Sequence, residues 1–242
     1  KKLDLPSSNI VFTNYGKATL AVLSANNKAT ISNHGTLAVE GTFNVPANTA
    51  VSNTGTLTAK DMTINSSGTL MNSGSLTLKG TMDVPSNGVF VNTGKATIQE
   101  LKANSNDGVI TNEGTLVVQD ANIINATFNV NCLTTIVKMY VYCIKVNIAT
   151  GARLDITNLH SSGGIYTLQQ EAILDVKEQA EFTTFTSKIN AVGAKKALAR
   201  FKALSFKGNR SVSYEGNLEV AVTNHPTNPP YNPVYVSAPS VY

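Results

Sequence analysis

Glu100 and Asp120 stand twenty residues apart, and Asp61 lies thirty-nine residues before Glu100. In a chain that closes on itself about every twenty residues, these acids would come onto one face. Two carboxylates placed so can share a proton, hold a cation or flank a glycosidic bond. Each follows a recurring asparagine by eight residues, in a column reading Gly41, Asp61, Gly80, Glu100 and Asp120. Acids and glycines are also ordinary turn formers, so the same column marks a corner. One place earlier, Glu40, Lys60 and Lys79 form a second column, read as a solvated ion-pair ladder that contributes little.

The other reactive side chains are scattered. His34, His160 and His225 fall in a turn, a loop and the tail, and none shares a repeat phase with another. No zinc or catalytic-triad pattern follows. No Gly-rich phosphate loop, Gly-x-Ser-x-Gly elbow or calcium-binding nonapeptide repeat is present. The expectation is therefore a noncatalytic chain with no cofactor and no metal. Cys132 and Cys143 are eleven residues apart in one apolar stretch, and either a disulfide or two free thiols fits that spacing.

The formal charge of +4 is unevenly placed: residues 1–131 hold 8 Lys and 8 acids, whereas residues 132–242 hold 11 Lys and Arg against 7 acids. Lys195, Lys196, Arg200, Lys202, Lys207 and Arg210 follow one another without an intervening acid. Such a strip is a candidate site for anionic polymers, the alternative being a solvated cap face. With no Trp in the chain and only Phe201 and Phe206 near the strip, nucleic-acid partners are not expected.

What must position these residues is a repeat. Asn-x-Gly recurs at Asn14/Gly16, Asn33/Gly35, Asn53/Gly55, Asn72/Gly74, Asn92/Gly94 and Asn112/Gly114, at spacings of 19 or 20 residues. Two residues before each Asn stand Phe12, Ile31, Val51, Leu70, Phe90 and Ile110. Four and six residues after it come pairs such as Leu37/Val39 and Leu76/Leu78, an alternation of period 2 that reads as a half-buried strand. A unit of this length cannot bury its own apolar face, but stacked copies share one core. The expected fold is all-β: a single-stranded, right-handed parallel β-helix with rungs of about 20 residues. At each corner Gly is expected to supply positive φ, and Asn to turn its amide inward onto its rung neighbours.

Composition agrees with this reading. Charged residues make up 14% of the 242, against about 25% in an average domain, while Asn, Thr and Val number 27, 28 and 23. Outward positions three and five after the Asn carry a broken threonine file, an ordinary choice for exposed strands. Phe43-Asn44-Val45-Pro46 returns as Met82-Asp83-Val84-Pro85, a two-rung period. The irregular loops this leaves, at 65–68 and 104–108, are where an elaborated face is expected.

The organisation expected is a solenoid over 1–222, with an N-terminal cap at 1–12, regular rungs at 13–131, degenerate rungs at 132–193 and C-terminal rungs or a cap at 194–222. The β-branched and aromatic run from Thr134 to Ile148 reads as two strands inside the core. Leu198, Phe201 and Leu204 have helix-like spacing, so a short helix is one form the cap can take and a strand the other. Residues 223–242 carry five of eight prolines and read as an extended tail. No apolar run is long enough for a membrane helix, and a start at Lys1 suits a mature exported chain.

The phased motif, as in Ile31-Ser32-Asn33-His34-Gly35-Thr36-Leu37-Ala38-Val39, resembles the Asn-Gly-rich rungs of bacterial surface β-helix proteins of the adhesin type. It is most similar to those of gut Bacteroidetes, including the β-helical regions of LruC-domain proteins, over residues 10–130 and more loosely over 150–222. The resemblance implies an extracellular, cell-surface protein that engages surface glycans or host and neighbour proteins, with no catalytic residues to carry over. A polysaccharide-active β-helix enzyme using Asp61, Glu100 and Asp120 is the alternative, and a plain structural spacer a third.

Overall fold

A computed structural model of the protein describes residues 1–5, 8–104, 107–207 and 212–224, and every helix or strand element among them is a strand. The chain divides into two compact units, Lys1–Gln119 and Asp120–Tyr242. Each is a parallel β-solenoid, and about 11 turns of ~20 residues are divided between them.

In the first unit, the turn after Val11–Asn14 supplies two further short strands, Lys17–Leu20 and Val22–Ala25, and the later turns each supply one short strand and one long one. The short strands Val11–Asn14, Thr30–Asn33, Ala50–Asn53, Thr69–Asn72, Val89–Asn92 and Val109–Asn112 pair in parallel with Asn opposite Asn. The long strands Thr36–Val45, Thr56–Ile64, Ser75–Asp83 and Lys95–Asn104 pair likewise, with Leu37 opposite Leu57 and Leu76 opposite Ala96. Ile31, Val51, Leu70, Phe90 and Ile110 form one buried file, and Leu37, Leu57, Leu76, Ala96 and Leu116 another. A period of two sends alternate side chains into this shared core, and parallel pairing repeats the same choice at every rung.

The two corners of a turn differ in their physics. At the Asn-x-Gly corner none of Gly16, Gly35, Gly55, Gly74, Gly94 and Gly114 has positive φ, which corrects the conformational role expected of them. For five of the six the need is steric. A β-carbon on Gly35, Gly55, Gly74 or Gly114 would lie 2.1 Å from the carbonyl oxygen of the glycine one rung earlier, and one on Gly94 would lie 2.2 Å from that of Gly74. Gly16 begins the column and has no such neighbour, with nothing within 4 Å of its β-carbon position. The left-handed residue sits at the other corner, five places before each repeat Asn, at Asn9, Lys28, Asn48, Ser67, Asn87 and Asp107. Asn and Asp tolerate that geometry best, which accounts for four of the six.

The second unit keeps the plan without the motif. Its long strands Thr134–Tyr142, Arg153–Ser162, Ile173–Phe182, Ala197–Phe206 and Leu218–Asn224 pair in sequence order. Its short strands Thr127–Val130, Lys145–Ile148, Ile165–Gln169, Ser187–Val192 and Val212–Gly216 do the same. The segment with helix-like spacing is the strand Ala197–Phe206, because Ala197, Ala199 and Phe201 also alternate inward and the preceding strand offers a ladder. Tyr166, Phe182, Phe201 and Tyr214 fill this core, with Phe182 edge-on to Phe201 at 6.2 Å. Arg210, His225 and the tail beyond Asn224 lie outside the described residues.

Candidate functional site

The repeat asparagines form a continuous amide ladder. Asn14 Nδ2 donates to Asn33 Oδ1 at 2.7 Å, Asn33 to Asn53 at 2.7 Å, Asn53 to Asn72 at 2.6 Å, Asn72 to Asn92 at 2.7 Å and Asn92 to Asn112 at 2.7 Å. Each of these five Nδ2 groups also donates to a backbone carbonyl on the next rung. Within its own corner, each amide reaches the glycine carbonyl two residues on, as Asn72 does to Gly74 at 3.3 Å, Asn92 to Gly94 at 3.2 Å and Asn112 to Gly114 at 3.0 Å. All six asparagines are buried, so the ladder is occupied internally and presents nothing to a ligand.

The acidic column sits where the long strands change register, between Val39 and Thr42 and again between Leu78 and Thr81. Asp61 Oδ1 accepts the Thr81 backbone N–H at 2.9 Å. A β-carbon on Gly80 would lie 2.2 Å from that oxygen, so a side chain there would displace the Asp61 carboxylate from the Thr81 N–H. Glu100 Oε2 accepts the Thr81 hydroxyl at 2.6 Å and meets Lys102 Nζ at 3.0 Å. These bonds hold the Glu100 carboxyl below its ordinary range, the Thr81 hydroxyl most strongly and Lys102 next. Asp120 belongs to the second unit and faces Lys138 Nζ at 3.8 Å. Among the described residues no group of three or more His, Cys, Asp or Glu could hold a metal ion.

The basic strip lies opposite acids of the preceding rung. Lys195 reaches Glu171 at 2.8 Å, Lys202 reaches Glu178 at 2.8 Å and Lys207 reaches Glu181 at 2.7 Å. Arg200 lies 3.4 Å from Asp175, a carboxylate only 2% exposed that also meets Arg153 at 2.8 Å and Lys177 at 2.6 Å. The five cations from Lys195 to Lys207 in the strip thus include four with a partner, and the strip is a cross-rung ion-pair ladder. The sequence hides this because the acids precede the cations by some 25 residues. Cys132 and Cys143 are free thiols.

A face that sequence reasoning missed lies on Thr134–Tyr142 and its neighbours. The run does not sit wholly in the core: Met139 and Val141 point inward, while Tyr140 and Tyr142 point outward at 50% and 39% exposure. Parallel register sets Lys138, Tyr140 and Tyr142 beside Asn158, His160 and Ser162, and then sets Asn158 and His160 beside Gln179 and Glu181. His160 is a strand residue and not a loop residue. Its Nδ1 lies 2.7 Å from Glu181 Oε2, its Nε2 3.2 Å from Thr183 Oγ1, and its ring 5.7 Å from that of Tyr140. Partial burial raises the Glu181 carboxyl, but the bonds from Lys207 and His160 outweigh it and hold the group below its ordinary value. The strict alternation of Met139, Tyr140, Val141 and Tyr142 was the available signal, obscured by the low charge of the run.

Two adjoining depressions open on this face. One, of about 330 Å³, is lined by Lys138, Tyr140, Asn158, His160, Gln179 and Glu181. The other, of about 210 Å³, shares Tyr140 and His160 and continues past Tyr142, Ser162 and Thr183. Neither irregular loop lines them.

No protein-family model, curated protein or solved structure matches the chain. Fold and site together define a parallel β-solenoid whose second unit carries an outward polar and aromatic groove.

Proposed function

We propose that the protein is a noncatalytic, cell-surface solenoid of the bacterial adhesin type, which binds glycan or protein partners or displays such a site away from the envelope. The supporting observation is the condition of the acids. A glycosidase acid needs a raised pKa and a second carboxylate facing it across the bond. Glu100 is instead held low, Asp61 caps a backbone N–H at a register shift, and Asp120 faces Lys138. Long sheet faces meanwhile supply binding area without a deep cleft. Kinship with the solenoids of LruC-domain proteins belongs to the same proposal and rests on the Asn-x-Gly rungs.

The test is an array of glycans, mucin and matrix proteins probed with the whole chain at low and high salt. Saturable, salt-resistant binding to a defined glycan or protein is expected. Binding confined to polyanions and lost as salt rises would replace this reading with weak electrostatics. Absence of all binding would sink the reading.

A further inference from the structure

We propose that the groove around Tyr140 and His160 is a binding site for a neutral oligosaccharide; this rests on the glycan-binding form of the reading above. Three independent observations carry it. First, Tyr140 and Tyr142 leave the same strand on the same side, roughly 6.6 Å apart along it, with half-exposed rings. Phe185 meets Tyr142 edge-on at 5.5 Å and steadies that ring. Aromatic faces held open to solvent on a flat sheet suit the C–H face of a pyranose, which is apolar and rigid.

Second, the groups beside the rings match sugar hydroxyls. Asn158 offers both donors and acceptors. Gln179, whose Nε2 donates to Ser205 Oγ at 2.7 Å and to the Ala180 carbonyl at 3.2 Å, offers its Oε1 as an acceptor, and Glu181 keeps lone pairs beside its bonds to His160 and Lys207. A sugar hydroxyl both donates and accepts, so amides and carboxylates can bond it in pairs. The ionic groups are balanced: Lys138 faces Asp120, and Lys207 faces Glu181. That balance favours a neutral chain over a polyanion, which would need uncompensated cations.

Third, Ser162 lines the narrower depression with its hydroxyl unsatisfied. The residue is 4% exposed and its Oγ has no hydrogen-bond partner among the described residues. Its neighbour Ser161 shows the contrast, since that hydroxyl accepts from Tyr166 at 2.9 Å and contacts Ser187 at 3.2 Å. A buried hydroxyl left without a partner costs stability, and a ligand hydroxyl in the depression would offset that cost once the Ser162 side chain turns toward it.

The experiment compares the whole chain with Tyr140→Ala, Tyr140→Phe and Ser162→Ala on immobilised neutral hexasaccharides of glucose, mannose, galactose, xylose and N-acetylglucosamine, with heparin as the anionic control. At least one neutral hexasaccharide binds saturably and independently of salt. Tyr140→Ala weakens that binding by about tenfold or more, as expected of an aromatic anchor. Tyr140→Phe retains most of it, and Ser162→Ala weakens it without lowering the unfolding midpoint. Because Tyr140 is half exposed, its removal leaves the fold intact, and circular dichroism on each variant checks this. Undiminished binding by Tyr140→Ala would overturn the site while leaving the adhesin reading standing. So would binding of proteins or heparin with no neutral hexasaccharide bound. Absence of binding both here and on the broader array would overturn site and reading together.

Discussion

Asn53 Nδ2 donates to Asn72 Oδ1 at 2.6 Å, and the same nitrogen reaches the Ser75 carbonyl at 3.0 Å, so one buried amide joins two turns of the first unit. Asn53 Oδ1 in turn accepts from Asn33. Removing such a group strands partners on both sides, because neither neighbour can reach water. Asn53→Ala is expected to cost about 2 kcal/mol. Asn53→Asp removes the donor and buries a charge, and is expected to cost more at neutral pH. Urea unfolding of the two variants checks the order.

Gly55 and Gly16 occupy equivalent corners with opposite tolerance. A β-carbon at Gly55 meets the Gly35 carbonyl at 2.1 Å, whereas at Gly16 nothing lies within 4 Å. Gly55→Ala is expected to destabilise by about 3 kcal/mol or more, and Gly16→Ala by less than ~0.5 kcal/mol. Gly74, Gly94 and Gly114 meet the same obstacle and should behave as Gly55 does. Equal effects at Gly16 and Gly55 in thermal unfolding would contradict the steric account.

Acid should loosen the fold through Glu100 and Glu181. Both are held below their ordinary value in the folded state. The unfolded value is about 4.3, so their stabilisation is present above that pH and is lost as pH falls through the lower folded values. A Glu100→Gln/Glu181→Gln chain should melt lower at neutral pH and show a shallower decline between roughly pH 5 and 3. A decline as steep as that of the unaltered chain would remove these two groups as its cause.

Asp83 behaves in the opposite sense. Partial burial raises its carboxyl, and nearby Lys102 offsets this only in part. A raised folded pKa means that ionisation opposes folding, so the contribution worsens as pH rises through that value. Asn44 holds the corresponding place in the earlier two-rung copy, and both pair with Thr63. Asp83→Asn is expected to raise the unfolding midpoint at neutral pH, by an amount within the ~0.5 kcal/mol usual for such sites.

The ion-pair ladder predicts a gain from acid removal. With Glu171 and Glu178 replaced by Gln, Lys195 and Lys202 lose the partners they hold at 2.8 Å. That double variant should elute from heparin at higher salt than the unaltered chain. Identical elution would show that the pairs do not mask these cations.

The sequence alone determined the fold class, because a phased Asn-x-Gly with apolar residues at −2, +4 and +6 admits one way of sharing a core: stacking in parallel. It also placed the six asparagines in one column, but Asp61, Glu100 and Asp120, which it read as corner residues, lie within long strands, Asp61 and Glu100 where the pairing shifts register. It did not separate a glycine needed for φ from one needed for space, since that depends on how closely the neighbouring rung approaches Gly35, Gly55, Gly74, Gly94 and Gly114. It did not show that Lys195, Arg200, Lys202 and Lys207 face acids, because rung pairing joins residues some 25 apart. Nor did it reveal the groove: Tyr140, His160 and Glu181 lie on three different strands, and only parallel register brings them side by side. Local pattern sets which way each side chain points, whereas the neighbours it meets there are decided by stacking.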